Sequence, residues 1–200
     1  VPAGSELCLC YGALQNWELL MYYGFCPEGV NPHDRLTLSI EVPSDSPAQE
    51  VILRLHGIPT DHALRPEAEA GDGGFAVEPP AKKQKLDEEG WAALGIVPPQ
   101  LLRCLRVLLA PDSADFDVDG APGAGDLLAL DMRCLVAIEE LLAALLEPLE
   151  AWPRAGEALP LWWPLYGHAV ATFRASQRAL LVSNVNAVSS LRQRLEAQLQ

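Results

Sequence analysis

The stretch from Leu127 to Leu149 leaves the chain few options. It is leucine, alanine, valine and isoleucine, interrupted only by Asp131, Arg133, Glu139, Glu140 and Glu147 beside a methionine, a cysteine and a proline. Those charges are too many for a bilayer span, and the apolar positions cover too many faces for a helix lying on a surface. The expectation is a long helix in the middle of a helical domain. Its partners can be read from the same periodicity. Gln100 to Leu109, entered through Pro98-Pro99 and followed by Pro111, carries Leu101, Leu102, Leu105, Val107, Leu108 and Leu109 together with Arg103 and Arg106, with prolines where a helix tolerates them. After a break marked by Pro148, Pro153 and the Pro160-to-Pro164 stretch, two closing helices are expected. One runs from Tyr166 to Val182 on Ala169, Val170, Phe173, Leu180 and Leu181. The other runs from Asn186 to Leu199 on Val188, Leu191, Leu195 and Leu199. Trp152, Trp162 and Trp163 are expected to pack against this bundle. Half of the chain is hydrophobic, enough for a substantial core.

The N-terminal part has a different rhythm. Leu7, Cys8, Leu9, Cys10 and Tyr11 form a short apolar run closed by Gly12, suited to a buried strand. Asn16 then reads as an N-cap, Leu19, Leu20 and Tyr23 recur at helical spacing, and Gly24 stops the helix. Turn chemistry from Cys26 to Arg35 leads into Leu36, Leu38, Ile40 and Val42 alternating with Thr37, Ser39 and Glu41, a half-buried strand over 36–42. Pro43 to Pro47 ends it, and Gln49 to Leu55 is a short amphipathic segment. Residues from about 66 to 90 hold little apolar content between Gly, Pro and charge runs, as a flexible insert would. Within it Lys82-Lys83-Gln84-Lys85 resembles a nuclear import signal.

Composition narrows the partners. A net charge of −13 argues against nonspecific binding to nucleic acid or an anionic membrane, and favours a basic target segment on a partner protein. Five cysteines without paired spacing read as free thiols in a reducing compartment. No metal is expected at them, or at His33, His56 and His62, for want of clustered ligands. Asp115, Asp117, Asp119, Gly120 and Asp126 do match positions of a calcium-binding EF-hand loop, with Pro122 where an apolar residue belongs. Calcium binding and a solvated acidic linker are the two readings of that loop.

Several of these residues occur in a recognisable order. Ala3-Gly4 with Glu6, Tyr11-Gly12, Asn16, Glu18-Leu19-Leu20, Tyr23-Gly24-Phe25 and Asn31-Pro32-His33-Asp34-Arg35 together resemble the end of the catalytic domain in SET-domain protein methyltransferases. The branch concerned contains the Rubisco large-subunit lysine methyltransferase and the actin-histidine methyltransferase. Gly57-Ile58-Pro59-Thr60 and Leu101-Leu102 with Leu105-Arg106-Val107 extend the likeness, and the helix-rich ending resembles the substrate-binding domain of that branch.

The resemblance implies an α+β chain, mostly helical. Residues 1–42 would be the C-terminal end of a SET catalytic fold, and residues 43–200 an all-helical substrate-binding domain carrying the insert. It implies Tyr11 as the catalytic residue, Asn16 and Phe25 on the side of the cofactor S-adenosylmethionine, and Tyr23 in the channel for the target residue. A fixed phenol oxygen can orient an attacking nitrogen and accept C–H···O contacts from a polarised methyl group. The acceptor expected is a protein lysine. A protein histidine, or a noncatalytic protein-binding module in which Tyr11 is structural, is the alternative. The cofactor-binding glycine motif and Asn-His pair that such enzymes carry upstream are not in these residues, so the chain is expected to be a fragment, inactive alone. The expected location is nucleus or cytoplasm, or the chloroplast in a plant or alga.

Overall fold

The computed structural model describes Gly4 and residues 12–66, 97–110, 117–125, 127–151 and 163–198. The strand expected over 7–11, Tyr11 itself, nearly all of the expected insert with Lys82–Lys85, and Asp115, Asp126, Trp152 and Trp162 lie outside the described residues. The elements, in order, are α1 (Asn16–Tyr23), β1 (Leu36–Ser39), α2 (Pro47–Leu55), β2 (Asp61–Leu64), α3 (Pro99–Leu109), α4 (Leu127–Ala151) and α5 (Trp163–Glu196). The chain is mostly helical, with one two-stranded sheet. Among the described residues no helix is long and apolar enough to cross a membrane.

α4 and α5 form the frame. They run antiparallel, because Glu139 meets Ser189 and Arg192 while Glu150, further along α4, meets Arg178, earlier on α5. Cys134, Leu135, Ile138 and Leu142 of α4 are buried against Leu181, Val188, Leu191 and Leu195 of α5, and Leu101, Leu102 and Leu105 of α3 close the same core. A smaller apolar cluster under α2 joins Leu53 and Ile58 to Cys104 and Val107 of α3 and to Val118. Cys26, Cys104 and Cys134 are buried free thiols. Burial pushes the first two up to about 11 and Cys134 to about 12, which keeps all three protonated and chemically quiet.

α5 corrects one expectation. No break separates Val182 from Asn186; a single helix runs through. The polar residues at that point serve the helix instead of ending it: Ser183 Oγ and Asn184 Nδ2 donate to the Leu180 carbonyl at 3.1 and 2.9 Å, and neither Gly nor Pro intervenes. Asn184 Nδ2 also donates to the Arg65 carbonyl, 3.2 Å away, pinning the end of β2 to α5. Pro148, expected at a break, lies inside α4, which continues to Ala151.

β1 is shorter than its alternating pattern, ending at Ser39, although Ile40 N still donates to Thr60 O at 2.9 Å. It pairs antiparallel with β2, Leu36 opposite Leu64 and Leu38 opposite His62. β2 was not anticipated, since Asp-His-Ala-Leu has no β-branched or aromatic residue. It places a strand inside the segment expected to be all helical, and the pairing joins residues from either side of position 42.

His62 points inward from β2, 2 % exposed, with Nε2 lacking a partner among the described residues. Burial holds its pKa below the ordinary 6.5. As pH falls through about 6.5 the unfolded chain takes up a proton that the native state refuses, so stability falls on acidification. Urea unfolding at about pH 7.5 and about pH 5.5 should therefore show a larger acid loss for the wild type than for His62→Leu. Equal losses would place His62 outside the acid response.

Candidate functional site

α1 is a short helix made firm at both ends. Gln15 is its N-cap, and Gln15 N donates to Glu18 Oε2 at 2.8 Å. Gly24 closes it in the left-handed conformation (φ 75°), donating to the Leu20 carbonyl at 3.1 Å. Asn16, expected as the N-cap, is one residue further in, and its side chain is used for something else.

That side chain is fully buried at the centre of a polar network. Asn16 Nδ2 donates to Asp34 Oδ2 (3.0 Å) and to Ser176 Oγ (2.8 Å), and Asn16 N donates to Asp34 Oδ1 (3.1 Å). Asn16 Oδ1 accepts from Asn31 Nδ2 (2.8 Å), which also reaches the Leu14 carbonyl (2.9 Å), while Asn31 Oδ1 accepts from His33 N (3.0 Å). Gln177 Nε2 completes the set with a bond to Asp34 Oδ2 of 2.9 Å. α1, the Asn31–Asp34 turn and the middle of α5 are thus joined through one carboxylate. Burial pushes the Asp34 pKa up, against hydrogen bonds from Asn16 and Ser176 and from the Arg35 backbone that pull it down.

The two rings that follow α1 are brought together. Tyr23 and Phe25 stand 6.4 Å apart between centroids, tilted by 57°, and both are partly open to solvent, at 48 % and 39 %. Tyr23 is seven residues after Asn16, hence on the same face of α1 and roughly 10 Å further along its axis. Between the rings, Gly24 lies under Tyr166 of α5: a Cβ there would meet Tyr166 Cε1 at 3.3 Å. Gly24→Ala should cost about 1–2 kcal/mol, since it forces a side chain into the left-handed region. A thermal melt checks this, and an unchanged midpoint would mean that the cap is not strained by alanine.

Tyr11 falls outside the described residues, but Ala13, two positions on, lines a cleft of about 250 Å³ together with Pro32, His33, Asp34, Arg35 and Arg65. A larger cavity, about 710 Å³, lies between the Ile40–Ser44 segment and α2. It contains none of the expected site residues.

The acidic loop holds cations of the protein's own. Arg106, fully buried, donates from Nη1 to the carbonyls of Val118 (2.9 Å) and Gly120 (2.7 Å), with a longer contact from Nη2 to Ala121 O (3.5 Å). Asp119 pairs with Arg103 at 3.2 Å, and Asp117 Oδ1 accepts from Asp119 N at 3.0 Å. Of the oxygens that an EF-hand would turn to calcium, one of Asp119 is paired with Arg103 and the Ala121 carbonyl lies 3.5 Å from Arg106. Among the described residues no group of three His, Cys, Asp or Glu side chains is placed to hold a metal ion. Arg106 and the Asn16 network are features that sequence reasoning missed.

Compared with known proteins, the chain matches no protein-family model, and no curated protein matches it significantly.

Proposed function

We propose that this chain is the C-terminal part of a SET-type methyltransferase that transfers a methyl group from S-adenosylmethionine to a protein lysine. What supports the reading is the ordered motif set from Ala3 to Arg35. The observation that carries it is that two of the motif's aromatic residues, Tyr23 and Phe25, share one partly open ring pair at the end of α1.

The residues fit the cofactor unevenly. Phe25 is partly exposed at the end of α1, where an adenine could approach its ring, whereas the side-chain amide of Asn16 is wholly committed to Asp34, Ser176 and Asn31. In this reading Asn16 is a positioning residue, holding α1 and its trailing rings in place. The cofactor supplies, when bound, a methyl group on a positively charged sulfur. Tyr11 would orient the acceptor nitrogen by its phenol oxygen, and Tyr23 would wall the passage by which a long amine side chain arrives; the amine must lose its proton before it can attack.

The test uses the longest form of the protein that carries these residues, with isotopically labelled S-adenosylmethionine and a cell extract as acceptor. Tyr11→Phe should lower protein labelling by about a hundredfold or more, since misalignment alone costs that much, with the thermal midpoint unchanged. Undiminished labelling would end the catalytic assignment of Tyr11.

A further inference from the structure

The 250 Å³ cleft beside Ala13 has an unusual charge arrangement for so acidic a chain. Leu36 is opposite Leu64 in the β1–β2 ladder, so one step beyond its end Arg35 and Arg65 are directly opposite each other. Leu38, His62 and Leu64 are buried, which puts Arg35 and Arg65 on the other face of the pair, where both are exposed. Like charges opposite one another across an antiparallel pair oppose its formation. Among the described residues the usual remedy, an ion pair with a neighbouring carboxylate, is not formed by either arginine, although every other described arginine has a partner.

Asp34, next to Arg35 in sequence, lines the same cleft, but its oxygens are taken by uncharged donors of Asn16, Ser176 and Gln177. Asp61, on the same outer face as the arginines, is bound to Ser39 Oγ at 2.6 Å. His33 adds a third basic side chain, its backbone fixed by Asn31. The backbone on both sides is held as well: Arg65 through the bond from Asn184 to its carbonyl, and Arg35 through the hydrogen bond that its backbone N–H donates to the Asp34 carboxylate. Two guanidiniums with no ion-pair partner among the described residues, lining one small cleft on fixed backbone, form an arrangement suited to recognising an anion with several oxygens.

We infer that the cleft lined by Ala13, Pro32, His33, Asp34, Arg35 and Arg65 binds a single oxyanion group, a phosphoryl or a carboxylate, between the two arginines. The inference does not depend on methyl transfer. It concerns residues on the sheet end, and its test reads binding and not activity.

The experiment titrates the full chain with inorganic phosphate at low ionic strength while following the arginine Nε–H signals by NMR. Saturable shifts confined to Arg35 and Arg65 are expected, and Arg35→Ala or Arg65→Ala should each weaken binding about tenfold or more. Both side chains are exposed, so these variants should fold, and without phosphate Arg65→Ala should melt no lower than the wild type because a repulsion is relieved. A second arm compares a short phosphoserine peptide with its serine counterpart. Tighter binding than free phosphate would assign the oxyanion to a protein ligand, and equal binding to a small ion. Absence of saturation, shifts spread evenly over all arginines, or alanine variants that bind like the wild type would overturn the site.

Discussion

Replacing Arg106 with methionine is expected to remove about 3–5 kcal/mol of folding stability, which is a large share of the roughly 5–15 kcal/mol that holds a domain folded. Arg106 and Asp131 are both wholly buried. They form a two-armed pair, Nε to Oδ1 at 2.6 Å and Nη2 to Oδ2 at 2.8 Å. Methionine fills much of the volume but leaves a buried carboxylate with Gly123 N, at 2.6 Å, as its one remaining partner among the described residues. It also strips the donors from the Val118 and Gly120 carbonyls. Lysine would keep the charge yet lose the fork that reaches carboxylate and carbonyls together, so Arg106→Lys should also lower the urea midpoint.

The double variant Arg106→Met with Asp131→Leu separates two contributions. With no orphaned charge it should regain part of the loss, but residues 117–125 would still lack their central donor and should be cut faster by protease. A single variant within about 1 kcal/mol of the wild type, the scale of ordinary substitutions, would mean that the pair's desolvation cancels its attraction and that the loop holds itself.

The same residues show what could and could not be read beforehand. α1 with its glycine stop, α3 between prolines and the long α4 are local matters of propensity and period, and they fall close to where the pattern put them. In α3, Gln100, Arg103 and Arg106 recur every three residues and so share one polar stripe, which periodicity alone reads as a solvent face; that Arg106 is buried there depended on a partner from another helix. Asp131, a lone acid near the start of an apolar helix, was that partner. β2 depended on a tertiary contact, with β1 across the intervening α2, whereas α5 runs on through residues whose polar side chains bond locally to the Leu180 carbonyl, a choice that their helix-breaking reputation hides. For the site, the pairing of Tyr23 with Phe25 follows from their closeness in the chain. Asn16 could not be placed from sequence because its partners Asp34, Ser176 and Gln177 come from a turn and from a helix near the other end of the chain.

Asp34→Asn should destabilise the protein by about 1–3 kcal/mol, although the substitution changes one atom and removes a charge from a buried site. Relief from charge burial argues for a gain, so the outcome turns on the hydrogen bonds. Oδ1 accepts from Asn16 N, while Oδ2 accepts from Asn16 Nδ2 and Gln177 Nε2, with Ser176 Oγ at 3.3 Å. An amide keeps one oxygen and turns an NH2 toward donors, or the reverse. Gln177 can flip and Ser176 can rotate its hydroxyl, but Asn16 cannot adapt alone. Flipping its amide would face Nδ2 against Asn31 Nδ2, and flipping Asn31 in turn would take the acceptor from His33 N. Each adjustment moves the unpaired donor without removing it, and a buried donor left unpaired costs about 1–3 kcal/mol. The loss should be concentrated where α1 meets α5, so Trp17 fluorescence on α1 should report loosening at lower denaturant than far-ultraviolet circular dichroism reports unfolding of α4 and α5. Gln177→Ala, combined with Asp34→Asn, should cost less than the sum of the two single changes, because both act on the same contact between Gln177 Nε2 and Asp34 Oδ2. If Asp34→Asn instead melts at or above the wild-type temperature, the buried charge outweighs its network, and α1 must be held to α5 mainly by its apolar contacts.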